Sequence, residues 1–319
     1  MSLCLQTEAH DGSAILPAEA GTGVGTRRLG HPKRGVTVFP HLSTTARAVS
    51  FYLMALAMCV TLSLTLPSGR AAAILAMLTP VLAVLIMQLV VTRDGWRRTG
   101  WASLGLGRLG ARVWPIAVAL PLAILVVSES VVRLAGLTSW HLPSATDGLV
   151  ELANLPIMIF FVLGEEIGWR GYLGPLLASD GRRAPHLRTG LLHGIWHLPL
   201  VFLTTDGYLT DGNRWIIVPV FLAVMTCAGQ FYGWLRQATG SVYPAVLTHY
   251  AFNTGLSFAG YIAFTTKPDA VAELGREAGV ATLVLIAATA LWVSTWRSTA
   301  PAVTTPVEQV GADNLVRSR

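Results

Sequence analysis

The chain alternates between long apolar runs and short polar segments. A helix needs roughly 20 mostly apolar residues to cross a bilayer, and eight runs approach that length, although the fifth is short and interrupted by histidines. We therefore predict an all-α polytopic transmembrane helical bundle of about eight helices. The predicted spans are 46–66, 71–91, 113–134, 152–177, 189–204, 215–235, 242–264 and 279–297. Polar segments 1–45 and 298–319 predict cytoplasmic tails on either side of a transmembrane domain, 46–297.

Composition and charge agree with this organisation. The chain is 53% hydrophobic and 13% charged, whereas a soluble domain carries about 25% charged residues. The net charge of +6 does not indicate nucleic acid as a partner, because the basic residues lie between the apolar runs. With the N-terminus inside, 17 of the 23 Lys and Arg fall in inside segments and five in outside segments. This bias predicts a multi-pass plasma-membrane protein with both termini cytoplasmic.

Glycines at GxxxG spacing occur in three of the predicted spans. Small residues at this spacing let two helices approach closely. We expect these positions to face the interior of the bundle. The pairs are Gly164/Gly168, Gly190/Gly194 and Gly229/Gly233.

The fourth span, LPIMIFFVLGEEIGWRGYL, carries three charged residues, Glu165, Glu166 and Arg170. One charge at the bilayer centre costs about 2.5–3.5 kcal/mol on insertion scales. Glu166 and Arg170 are four residues apart, so they can pair on one helix face. Glu165 points about 100° away and is expected to be the free carboxylate; a purely structural ion-pair cluster is the alternative. Glu129 in the third span belongs to no motif and is expected to contact another helix.

Polar residues at helical spacing also interrupt the fifth and seventh spans. His193 and His197 are four residues apart, as are His249 and Asn253. Either pair alone is also typical of hydrogen bonds between helices. At 1.5 Å per residue, Glu165, His197 and His249 all fall in the middle third of the bilayer. Three helices are therefore predicted to direct these groups into one cavity, where buried ionisable residues indicate a functional site.

These three segments together resemble a known family. GEEIGWRGYL is similar to the EExxxR motif of the CPBP intramembrane proteases, which include the prenyl-protein CAAX proteases of the Rce1 type and bacterial Abi relatives. HGIWHLP resembles the second motif, FxxxH, and HYAFN resembles the third, HxxxN. The resemblance covers about residues 150–260 and implies a CAAX-protease-like core. One position departs from the pattern, because His193 stands where the second motif has Phe.

The resemblance implies hydrolysis of a peptide bond by an activated water. Such a reaction needs a base near neutral pKa and donors aimed at the developing oxyanion. The matching residues would supply the base pair, the oxyanion donors and the structural support of the site. They are Glu165 with His197, His249 with Asn253, and Glu166 with Arg170.

A zinc-dependent mechanism is the second route that the same residues allow. Glu and His are ordinary zinc ligands, so a metal would be held by Glu165, His197 and His249, with His193 as a further candidate. No HExxH motif is present and Asn is a poor zinc ligand, so the metal-independent route is preferred.

Two other classes of protein compete with an intramembrane protease. One is a bacteriocin-immunity or scaffold protein that binds a partner in the same cavity without cleaving it. The other is a transporter, which the lack of internal repeats and of broken helices disfavours. The expected partners are a peptide or membrane-protein substrate and membrane lipid.

Overall fold

The computed structural model describes residues 42–179, 183–206 and 208–295, and nearly all of its regular structure is helical. The predicted tails lie outside this part of the chain, apart from residues 42–45. Two pairs of residues, β1 (Ser139–Trp140) and β2 (Ala263–Phe264), form a minimal antiparallel ladder. The helices are α1 (Thr44–Thr65), α2 (Gly69–Ala76), α3 (Thr79–Ile86), α4 (Arg98–Ala102), α5 (Trp114–Leu134), α6 (Ala145–Glu166), α7 (Gly174–Ser179), α8 (Pro185–Phe202), α9 (Arg214–Thr239), α10 (Tyr243–Ile262), α11 (Pro268–Leu274) and α12 (Val280–Ser294).

Each predicted span coincides with one of these helices or with a chain of them. Four helical stretches are long and apolar enough to cross a membrane by themselves, and a bent pair adds a fifth, within the described residues. α12 is apolar but shorter. α8 and α10 carry histidines and other polar side chains, which lower their mean hydropathy. The predicted all-α membrane bundle is confirmed.

The second predicted span is not one continuous helix. α2 and α3 meet at an angle of 42°, and α3 continues as a π-helical turn, Met87–Val91. Pro80 stands in the first turn of α3, where it lacks the N–H that would continue the hydrogen-bond ladder of α2. The expectation of unbroken helices is therefore wrong at this point, and it no longer weighs against a transporter.

The fourth predicted span begins earlier than its apolar pattern indicates. Ser144 and Asp147 form a capping box, in which the Ser144 hydroxyl accepts from the Asp147 backbone and the Asp147 carboxylate accepts from the Ser144 backbone. This cap satisfies amide groups that the start of a helix leaves without partners. α6 therefore starts at Ala145, seven residues before the first residue of the predicted span.

The connecting segments gather at two ends of the bundle. At the terminal end, where α1 begins and α12 ends, Arg47 pairs with Asp94 at 2.9 Å and the Val242 amide donates to the Gly105 carbonyl. At the opposite end, which we call the distal end, the Gly69 amide donates to Asp206. The helices therefore alternate in direction, as the predicted topology requires.

Glycines mark the closest approach between α8 and α9. A Cβ on Gly229 would lie 2.6 Å from the Cα of Gly190, and a Cβ on Gly194 would lie 3.0 Å from Leu222. Gly168 lies equally close to Pro80 of α3. Gly164 approaches Val81 of α3, Gly190 approaches Met225 of α9 and Gly233 approaches His186 of α8, so the prediction that the GxxxG positions face other helices is confirmed for all six glycines.

We predict that Gly229→Ala destabilises the bundle by about 1–3 kcal/mol, the usual cost of overpacking a close contact. Gly148→Ala is the matched control, because a Cβ at Gly148 meets nothing within 4 Å. The control should be neutral or slightly stabilising, since Ala favours a helix over Gly. Thermal unfolding in detergent measures both variants, and equal melting temperatures would contradict the assigned contact.

The alternating helices also make the predicted orientation testable. In a variant whose native cysteines are replaced, His141→Cys at the distal end should react with a membrane-impermeant maleimide in intact cells. Arg97→Cys, at the terminal end, should react only after lysis. Both side chains are exposed, so accessibility within the protein does not separate them. The reverse labelling pattern would show that the termini face outward.

Candidate intramembrane active site

The EExxxR segment lies where α6 changes into a wider helical turn. α6 ends at Glu166, and residues Ile167–Leu173 form a π-helix before α7 continues in the same direction. π turns within α-helices are rare and occur often at functional sites. The carbonyl of Arg170, within this turn, accepts a hydrogen bond from the Arg236 guanidinium of α9 at 3.2 Å. The motif therefore lies on a π-helical turn that a hydrogen bond from α9 stabilises.

Arg170 is buried and lies between two partners. Its Nη1 donates to Glu166 Oε1 at 2.8 Å and to His193 Nδ1 at 3.2 Å. The guanidinium carbon lies 4.3 Å from the centroid of the Tyr232 ring, in the arrangement of a cation–π contact. The predicted pairing of Glu166 with Arg170 is confirmed, and the contact with His193 is additional.

Glu165 is bonded to a histidine. Its Oε2 accepts from His193 Nε2 at 2.8 Å, and both side chains are only 2% exposed. The prediction that Glu165 is the free carboxylate is wrong, because α8 packs beside α6 and brings His193 against it. Helical spacing within the fourth span carries no information about a partner on another helix.

His197 lies one turn along α8 from His193, inside an aromatic enclosure. Its Nδ1 donates to the His193 backbone carbonyl at 3.0 Å. The Tyr208 ring lies 5.0 Å from the imidazole and the Phe221 ring lies 5.4 Å from it. Because a carbonyl only accepts, the neutral ring carries its lone pair on Nε2, which is the form of a base or a ligand.

His249 and Asn253 come from α10. His249 Nδ1 lies 2.9 Å from Glu166 Oε1, the oxygen that also accepts from Arg170. Glu166 therefore holds His249 as well as Arg170, whereas its predicted partner was Arg170 alone. Asn253 lines the same cavity as His249.

One cavity of about 640 Å³ brings the predicted site residues together. Its polar lining includes Glu165, Arg170, His193, His197, His249 and Asn253. The cavity continues to the distal end, where Asp211, Arg276 and Glu277 line it. Glu277 lies in the loop between α11 and α12, and burial raises the pKa of its carboxyl group. Arg276 also pairs with Glu129 at 3.4 Å, so the ion-pair partner of Glu129 lies in the loop between α11 and α12 and not on another helix.

Two of the expected zinc ligands, Glu165 and His197, lie together with the further candidate, His193, and the third does not. Glu165, His193 and His197 each offer a ligand atom within 4.8 Å of the others, and His249 is not in this group. A histidine that binds zinc presents a lone pair to the metal and donates its other N–H to an acceptor. His193 Nδ1 instead faces the Arg170 donor, and its Nε2 faces Glu165. In this hydrogen-bond pattern the three residues do not fit a zinc ion.

Aromatic residues around the histidines were not foreseen from the sequence. Trp169 stacks on His193 with ring centroids 4.8 Å apart. Trp196 donates from its indole to the Ala55 carbonyl and to Thr79. Trp169 and Trp196 stand inside the recognised motifs, so their place in the sequence was a usable signal. Tyr208 comes from a loop without any pattern, and only the folded chain shows its contact.

The fold and the buried cluster define a polytopic membrane protein with an ionisable site inside the bundle. Residues 148–255 match the family described as Type II CAAX prenyl endopeptidase Rce1-like. The matched segment, about a third of the chain, runs from α6 to α10 and includes every motif residue discussed above. Over this segment the chain is similar to a family of prenyl endopeptidases. No curated protein matches the chain.

We predict that Arg170→Ala lowers the stability of the folded protein in detergent. Breaking a buried ion pair by removing one partner costs about 3–5 kcal/mol, because the other charge is left without compensation. Arg214→Ala is a suitable control, since Arg214 is exposed at the start of α9. Thermal unfolding and the monodisperse yield measure the effect. Unchanged stability would show that Arg170 is not a structural support of the site.

Proposed function

We propose that the chain is an intramembrane endopeptidase that hydrolyses a peptide bond with a water activated by Glu165 and His197. One observation carries the proposal: a carboxylate, imidazoles and an amide from three helices line a single cavity inside the bundle. They include both groups that peptide hydrolysis needs when no side chain acts as nucleophile, namely a base and oxyanion donors.

The base side consists of Glu165 and His197, which lie close enough for one water to bridge them. The ligand atoms of Glu165 and His197 lie within 4.8 Å of each other, a separation that a water can bridge with two hydrogen bonds of ordinary length. His197 presents its lone pair on Nε2, and His193 binds only Oε2 of Glu165. The second oxygen, Oε1, can then receive the proton of the water.

The donor side is formed by α10. Glu166 accepts from His249 Nδ1, and a carboxylate on this nitrogen orients the ring and stabilises an imidazolium. The other ring nitrogen and the Asn253 amide would donate to the developing oxyanion. Glu165, Glu166 and Arg170 together carry one unit of excess negative charge, which a single imidazolium balances. His249 is the histidine placed to provide it.

The reaction balances without a further reactant. The water oxygen adds to the peptide carbonyl carbon while its proton passes to Glu165. Collapse of the tetrahedral intermediate breaks the C–N bond, and the proton passes to the leaving amine. The second proton of the water stays on the new carboxyl group, so the products are a carboxylic acid and an amine, and Glu165 returns to its starting state.

The cavity favours a peptide substrate with apolar side chains. Away from the ionisable cluster, its walls are formed by residues such as Met77, Ile124, Phe231 and Leu256. Ligand cavities of about 300–1,000 Å³ are typical of pre-formed sites for small molecules and short peptide segments. A peptide or membrane-protein substrate that arrives through the lipid phase fits this lining.

We predict that Glu165→Gln abolishes hydrolysis and leaves the fold intact. The substitution keeps the size of the side chain and removes the base, which is worth about 10²–10⁴-fold in rate. Asn253→Ala should cost less, at most about 10²–10³-fold, because His249 remains as a donor. Glu129→Gln is the matched control, since it alters an intramembrane carboxylate that does not line the cavity.

The measurement is the appearance of new peptide termini, by mass spectrometry, in liposomes that contain the purified protein and a library of membrane-associated peptides. Products should form with wild type and Glu129→Gln, and not with Glu165→Gln. Cleavage by folded Glu165→Gln would refute the proposed base. If no variant cleaves but wild type and Glu165→Gln retain the same bound peptide, the site serves a scaffold or immunity protein.

A further inference from the structure

His193 stands at the position where this chain departs from the family motif, and its contacts give that position a function. Its Nδ1 lies 3.2 Å from Arg170 Nη1. A guanidinium carries donors and no acceptor, so Nδ1 must accept in this bond. The neutral ring then has its proton on Nε2, which lies 2.8 Å from Glu165 Oε2. The pair of contacts thus fixes one tautomer.

The ring has little freedom to adopt another arrangement. His193 is 2% exposed, and its plane is stacked on Trp169, with the two ring planes inclined by 27°. The Trp196 ring lies on a second side of His193, with the two ring centroids 6.1 Å apart. A half-turn of the ring would replace both nitrogens by carbons and leave Arg170 and Glu165 facing C–H groups in a buried site, at a cost of about 1–3 kcal/mol for each unsatisfied polar group.

Arg170 connects this contact to the rest of the site. The two hydrogens on Nη1 go to His193 and to Glu166, and Glu166 also accepts from His249. Five side chains therefore form one continuous hydrogen-bonded chain between the base and the oxyanion donors. Its ends are Glu165 and His249, which come from different helices.

We propose that His193 is a positioning residue: Arg170 fixes its ring as an N–H donor, and this donor holds Glu165 as the base of a metal-free water site. The proposal rests on the proposed function for its kinetic consequence. The chemical reason for excluding His193 as a metal ligand is the occupied lone pair on Nδ1, since a neutral imidazole with its proton on Nε2 has no second lone pair to offer. His193 acts through Glu165 and does not touch the water.

Two substitutions of His193 separate the effect of its hydrogen bonds from the effect of its side-chain volume. His193→Gln retains one acceptor for Arg170 and one N–H donor for Glu165, whereas His193→Phe fills the space with neither. Removal of a group that orients a site residue typically costs about 10–100-fold in activity. We expect His193→Phe to lower kcat by about this factor with little change in KM, and His193→Gln to restore most of the loss. Equal kcat in wild type and His193→Phe would overturn the proposal.

The tautomer is measured without any assay of activity. Protein labelled with ¹⁵N in the histidine rings should show several signal pairs, and the pair that disappears in His193→Gln should be that of an Nε2–H tautomer. Finding His193 with its proton on Nδ1 would overturn the proposal even if hydrolysis is confirmed. If wild type shows no hydrolysis, the proposed function fails, and this spectrum still decides the state of His193.

Cobalt provides the direct test of the metal alternative. Wild type titrated with Co²⁺ should develop no stoichiometric ligand-field absorption, and cleavage should survive strong chelation. Stoichiometric absorption that is lost in His193→Phe would show that His193 is a ligand and would overturn the proposal. The proposal would also be overturned if chelation abolished cleavage and added zinc restored it.

Discussion

A guanidinium in the middle of a membrane bundle must be neutralised where it lies, and the site is arranged around that requirement. Arg170 is 3% exposed and its nearest carboxylate, Glu166, is fully buried. A buried charge is tolerated only when ion pairing and hydrogen bonds replace the lost water. The ion pair, the His193 contact and the Tyr232 ring supply these interactions from three helices. The position of Arg170 therefore constrains α6, α8 and α9 together.

The base and the donor side of the proposed reaction are set by the same interaction. His193 and Glu166 share one nitrogen of Arg170, so a displacement of the guanidinium would move Glu165 and His249 at the same time. Enzymes gain most from donors and bases that are oriented before the substrate arrives. A single buried cation orients both before the substrate arrives.

Much of this arrangement could be predicted from the sequence, for identifiable reasons. The period of an α-helix places Glu166 and Arg170 on one face, and the rise per residue places His197 and His249 at the depth of Glu165. Both arguments use distances within one helix. Contacts between helices depend on which faces pack, so the bond from His193 to Glu165 and the bond from His249 to Glu166 could not be derived in this way. The π turn after Glu166 and the bend near Pro80 were hidden for a related reason, since local apolar pattern does not report helix geometry.

The order of the motifs along the chain has a consequence for biosynthesis. α6 is made and inserted before α8 and α10, so Glu165, Glu166 and Arg170 enter the membrane before their histidine partners exist. The ion pair between Glu166 and Arg170 lies within one helical stretch and is available at once. Glu165 has no such neighbour and must be carried without its partner until α8 follows. The cost of placing this carboxylate in the membrane therefore arises before the contact that offsets it in the finished structure can form.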